Sequence, residues 1–259
     1  MFFDSHTHLN DEHIYPERDR IIKEAIEAGA LGFLVIGWDY ESSLKAVSIA
    51  HEYSNVYAAV GFHPENLEVI SDDMLSKIKK IAVDPKVKAI GEIGLDYHWY
   101  KDEKDHINQK EWFIKQIAIA NELSLPCSIH ARDAALDTYE ILKANPIKNG
   151  AALHCYSSSP EMMERFLALS PLYYFGFDGP ITYKNADIPK KNVVAVPLDK
   201  FLFETDAPYL APSPFRGKTN EPKYIPYIIK EFAVLKNMDV LDIEKRALEN
   251  TKKLFHVEL

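Results

Sequence analysis

Residues 1–10 read MFFDSHTHLN: two aromatic residues, then two histidines separated by one residue, and no glycine. The apolar run Phe2–Leu9 predicts a β-strand. Side chains i and i+2 of a strand share a face, so His6 and His8 point the same way. A doubly wound nucleotide-binding sheet usually carries a Gly-rich phosphate turn after its first strand, and this one carries none.

Seven further runs follow the first: Leu31–Trp38, Val56–Pro64, Val87–Tyr97, Pro126–Asp133, Ala151–Ser157, Tyr173–Ile181 and Phe201–Leu210. Helical patterns separate them, at Glu17–Ala28, Ser42–Tyr53, Asp73–Ile81, Lys104–Leu123, Ala134–Lys143 and Pro160–Leu169. The pattern after Tyr183 is weak, and two helices near Lys223–Lys236 and Val240–Phe255 close the chain. Strands alternating with helices build parallel βαβ units. Eight of them in 259 residues, close to the roughly 250 of a TIM barrel, predict one α/β (β/α)₈ barrel domain over 1–259.

Lys and Arg number 30 against 39 Asp and Glu, a net charge of −9, which excludes a general polyanion-binding surface and leaves room only for a local basic patch. The two cysteines, Cys127 and Cys155, offer neither a disulfide framework nor a CxxC pair, and both read as reduced and buried. No run reaches the roughly 20 apolar residues of a membrane span, and the N-terminus lacks a basic region followed by an apolar stretch. These features lead us to expect a cytoplasmic monomer without a membrane partner.

The ends of the predicted strands carry the chemistry. Glu92 closes the fourth run in AIGEIGLDY, His130 the fifth in CSIHARD, His154 the sixth in AALHCYS, and Asp206 the eighth in FLFETDAPY. A polar residue at the end of an apolar strand costs free energy unless it is satisfied. One such residue would fit a core network. Four of them, all of ligand type and all joined by the His6/His8 pair, predict a metal site at the barrel mouth. Six nitrogen and oxygen donors exceed one tetrahedral set and suit two divalent cations, with no choice among Mg²⁺, Mn²⁺ and Zn²⁺. Cys155 follows His154 and by strand parity is expected to face outward, so no thiolate is anticipated.

The segments DSHTHL, GFHPE, GEIGLDY, IHARDA, LHCYSSS, ETDAPYLAP and RGKTNEP, between Asp4 and about Pro222, resemble the TatD-type deoxyribonucleases among the metal-dependent hydrolases. The resemblance implies that His6, His8 and Asp206 hold a first metal, that Glu92 bridges, and that His130 and His154 hold a second. It further implies a two-metal phosphodiesterase acting on DNA, often from the 3′ end. Ser158 stands where the family usually has glycine. The run from His98 to Lys101 stands where an arginine often follows GLDY, with Lys101 as a substitute point charge.

The expected reaction is attack on phosphorus by a hydroxide bridging two metals. Asp206 and Glu204 are the candidate catalytic pair, Asp206 as the base and Glu204 orienting a ligand. His63, Arg132, Arg216 and Lys218 are the candidate substrate-binding residues, and Tyr97, Trp99, Tyr100 and Tyr156 are the aromatics available to stack a base. Salt-bridged Arg132 and rim or core aromatics are the plain alternatives. The same ligands would also serve an ester or amide hydrolase, including one for an aminoacyl ester on tRNA, or a non-catalytic metal-binding barrel.

Overall fold

The computed structural model describes residues 1–259. Eight strands pair in sequence order, every pair parallel: β1 Phe2–Thr7, β2 Ala30–Ile36, β3 Val56–Val60, β4 Val87–Asp96, β5 Cys127–Arg132, β6 Ala151–Leu153, β7 Tyr173–Phe177 and β8 Phe201–Phe203. The sheet closes where the Asp206 amide donates to the His6 carbonyl (2.9 Å) and the Ser5 hydroxyl to the Phe203 carbonyl (3.0 Å). The protein is a single-domain (β/α)₈ barrel.

Helices α1 Arg18–Glu27, α2 Tyr40–Glu52, α3 Asp72–Ile81, α4 Glu103–Leu123, α5 Ala135–Ala144, α6 Pro160–Leu169, α7 Asp187–Ala195 and α8 Ile225–Lys236 follow the strands, and α9 Val240–Phe255 completes the chain. Alternation along each strand separates two apolar layers. On β2, Phe33 and Val35 pack in the layer shared with the helices, while Leu34 and Ile36 belong to a smaller cluster inside the barrel. Leu254, Phe255 and Val257 join that inner cluster, so the end of α9 plugs the barrel bottom.

The bottom is therefore filled with hydrocarbon and the polar residues collect at the top, where active sites of such barrels lie. The strands are shorter than their apolar runs. β6 and β8 have three residues each, and His154 and Asp206 lie just beyond them. Both segments turn through left-handed backbone, at Cys155 (φ 43°) and Asp206 (φ 56°). Asp tolerates that region better than most residues.

Candidate metal centre

Glu92 occupies the middle of the barrel mouth, on β4. Its Oε2 lies 3.4 Å from His6 Nε2 and 3.8 Å from His8 Nε2. Its Oε1 lies 2.9 Å from both His130 Nδ1 and His154 Nε2. Asp206 Oδ1 completes the first group, 3.3 Å from His8 Nε2 and 3.7 Å from His6 Nε2. All six predicted ligands thus converge, and one carboxylate divides them into two sets.

The far side of each ring explains its orientation. His8 Nδ1 donates to the Ile36 carbonyl (3.1 Å), and His130 Nε2 donates to Asp96 Oδ2 (2.9 Å). His154 Nδ1 faces Glu204 Oε1 at 3.5 Å, and His6 Nδ1 meets the Ser128 hydroxyl at 3.2 Å. With the outer nitrogens of His8 and His130 holding the protons, their inner nitrogens present lone pairs. Those lone pairs face carboxylate oxygens, and a cation between them, whether a proton or a metal ion, turns the contact from repulsive to attractive. His6 Nε2 and His8 Nε2 are 3.3 Å apart, and His130 Nδ1 and His154 Nε2 are 3.4 Å apart. Donors on a tetrahedral ion with bonds of about 2.0–2.1 Å stand about 3.3–3.4 Å from one another. The residues fit divalent metal.

Electrostatics agree. Burial alone would raise the Glu92 carboxyl, but His154, His63 and His6 around it hold it well below the usual carboxylate range. Burial likewise opposes protonation of His154, yet Glu92 and Glu204 raise it well above an ordinary imidazole. A proton on His154 thus offsets the carboxylates when no metal does.

His63 differs from the ligands. Its Nδ1 accepts the Glu65 amide N–H at 3.2 Å, which leaves the proton on Nε2, 3.6 Å from Glu92 Oε1. Burial drives it down to about 3, so the ring is neutral and offers an N–H to the cavity. His6, Glu92 and His154 form a further donor group across the two sets, and His63, Glu92 and His130 lie close enough to form another, but the tautomer set by Glu65 makes His63 a hydrogen-bond donor.

Glu204 is fully buried, accepts the Cys155 amide N–H at 2.5 Å and touches the Ser5 hydroxyl at 3.4 Å. Gly176 on β7 makes room for it, since a Cβ there would collide with the Glu204 carboxylate. Cys155 does not face outward as strand parity suggested. Its left-handed backbone resets the alternation and brings the thiol to Asp178, near Glu204 and Asp206. Burial raises this thiol well above its ordinary value, as it does the Asp178 carboxyl beside it.

Arg132 is exposed at the rim, 5.6 Å over the Trp99 ring, and no carboxylate lies within salt-bridge distance; Asp133 pairs with His98 instead (3.0 Å). Arg216 lies over the Tyr183 ring at 4.5 Å and Lys218 is exposed, and neither lines the cavity. Lys101 donates to the Tyr97 carbonyl (2.7 Å). Sequence reasoning passed over Asp96, although it lies four residues beyond Glu92 on the same strand face. It also passed over Asp4, which accepts from the Thr205 hydroxyl (2.6 Å) under the His6 strand and is pushed up to about 8 by burial.

The family described as TatD related DNase matches residues 3–256. The metal-dependent hydrolase YabD of Bacillus subtilis is 41% identical over 99% of this chain and 100% of its own. The 3′-5′ ssDNA/RNA exonuclease TatD of Erwinia tasmaniensis is 31% identical, covering 98% of this chain and 100% of its own. Among solved structures, the TatD homolog YjjV of Escherichia coli K12 superposes with a TM-score of 0.93 at 29% identity, over 99% of this chain and 98% of that one.

Proposed function

The chain belongs to the TatD-related DNase family of metal-dependent hydrolases, and we propose that it cleaves phosphodiester bonds at the 3′ end of single-stranded DNA. The observation that carries this reading is the donor set converging on the two oxygens of Glu92 in a cavity of about 640 Å³. That volume falls within the roughly 300–1,000 Å³ of small-ligand sites, so it accepts a strand end and not a duplex groove. Five carboxylates and one guanidinium line it, and without added positive charge a phosphodiester would be repelled.

His6 Nε2, His8 Nε2, Asp206 and Glu92 Oε2 would hold one ion; His130 Nδ1, His154 Nε2 and Glu92 Oε1 would hold the other. Divalent ions held there would supply a water acidified toward a pKa of ~7 and positive charge for phosphate oxygens. The chain's own groups do the rest. Asp206, partly open to the cavity and kept ionised by His8 despite burial, accepts the proton of the attacking water. His63 Nε2–H donates to a phosphate oxygen, and Arg132 meets the charge of the next phosphate. Glu204 acts through His154, whose Nδ1 it faces at 3.5 Å. The similarity to a relative named as an ssDNA/RNA exonuclease supports this substrate class.

The test is hydrolysis of 5′- and 3′-labelled oligonucleotides with Mg²⁺, Mn²⁺ or Zn²⁺, with and without chelator. Shortening from the 3′ end, abolished by chelator and reduced at least about a thousandfold in Asp206→Asn, is the expected result. Turnover of an ester or amide panel with no cleavage of any oligonucleotide would sink the reading.

A further inference from the structure

Of the four aromatics available to stack a base, three are already committed. Tyr97 donates its hydroxyl to Asp137 (2.8 Å) and stacks on His106; Tyr100 donates to the Glu65 carbonyl (2.8 Å). Tyr156 is buried with its ring edge on Phe175. Of the four only Trp99 lines the cavity, and it is 65% exposed; the other aromatics lining it are Trp38, partly buried, and Tyr209, whose hydroxyl is committed to Asp11 (2.9 Å). A large apolar ring so exposed at a functional mouth points to a ligand surface.

The turn that carries it is pinned to the metal centre. The Trp99 and His98 amides donate to Asp96 Oδ1 at 3.0 and 2.9 Å, and Asp96 Oδ2 accepts from His130. One carboxylate therefore fixes both the ring and a ligand of the second ion. Arg132, unpaired with any acid, approaches the same ring and is the only Lys or Arg lining the cavity.

We infer that Trp99 and Arg132 form the subsite for the terminal nucleotide of a single strand, Trp99 stacking the base and Arg132 binding the adjoining phosphate. This rests on the nuclease reading above. Stacking on an aromatic face tolerates every base because each has a π-face, so the subsite selects for an unpaired base and against none in particular. It also separates this substrate class from small amides and lactones, which offer no face of that size.

The experiment compares an oligodeoxythymidylate with the same strand ending in an abasic 3′ nucleotide, using Mn²⁺-loaded protein. Wild type is expected to prefer the intact end. Trp99→Ala raises KM for that end about ten- to hundredfold with kcat little changed, and so erases the preference, while Trp99→Phe keeps it. Tryptophan emission gives a readout apart from turnover. The intact strand quenches wild type more than the abasic one does, and the excess disappears in Trp99→Phe. A Trp99→Ala protein that still prefers the intact base, or the absence of any excess quench, overturns the subsite. No turnover of either strand, with the excess quench present, contradicts the nuclease reading and leaves the subsite standing.

Discussion

Asp96 shows how one side chain sets the chemistry of another. Its carboxylate holds the proton of His130 on Nε2, so that Nδ1 faces Glu92 with a lone pair. Asp96→Asn keeps the shape and loses the charge that fixes the tautomer. Affinity for the second ion is expected to fall about 10–100-fold, read by competition with a chromophoric chelator, while the first site keeps its own. A Gly176→Ala protein makes a second test, because the new methyl group displaces Glu204 from beneath His154. It should lose about 1–3 kcal/mol of stability in urea unfolding along with metal affinity. The convergence of the six candidate ligands was readable from sequence because each is a polar residue ending an apolar run. The residues behind them were not, since Ser128, Asp96 and Glu204 act through pairings between strands distant in sequence. Cys155 was misread for a local reason: the parity rule holds only while the backbone stays extended, and it turns left-handed there.

At the scale of elements, periodicity found what packing requires and missed what loops decide. α6 and α9 keep the bounds that their apolar spacing predicts, with Ser159 accepting from the Met162 amide and Asp239 from the Leu241 amide at their starts. α7 gave little signal because only Asn192 and Val193 of its nine residues are buried. The apolar runs at β6, β7 and β8 overstate the strands, since hydrophobic residues continue into turns that line the mouth. α8 is tied to β7 and β8 through Phe232, whose ring lies 4.4 Å from Phe201, 5.1 Å from Phe203 and 5.3 Å from Phe177. Phe232→Ala leaves a cavity among three rings and is expected to cost about 3–5 kcal/mol in denaturant unfolding. Metal content of the protein that remains folded should not change, because no ligand touches that cluster.

The whole molecule divides its tasks between its two ends. The bottom is closed by Leu254 and Phe255 at the end of the last helix and by Val257 just after it, and the top gathers buried carboxylates that folding places near one another. Metal that neutralises those carboxylates binds the folded chain and not the unfolded one. Saturating divalent ion should therefore raise the melting temperature in proportion to ln(1 + [L]/Kd), and chelator should lower it. The gain should shrink in Asp206→Asn, where the first donor set loses a charge. No helix is long and apolar enough to cross a membrane. The barrel was legible because eight apolar runs alternate with helical patterns, and the candidate metal centre because five of those runs end in ligand-type residues. The substrate subsite was not, because it depends on which of four nearby aromatics the turn after β4 leaves free.

On the proposed reading, Glu92 would stand between two metal ions with one oxygen toward each. Anomalous diffraction from crystals grown with Mn²⁺ or Zn²⁺ tests it directly. Two peaks about 3.5–4 Å apart on either side of the Glu92 carboxylate are predicted, one beside His6, His8 and Asp206 and the other beside His130 and His154. A single peak at saturating metal, or two peaks that do not share Glu92, would contradict it.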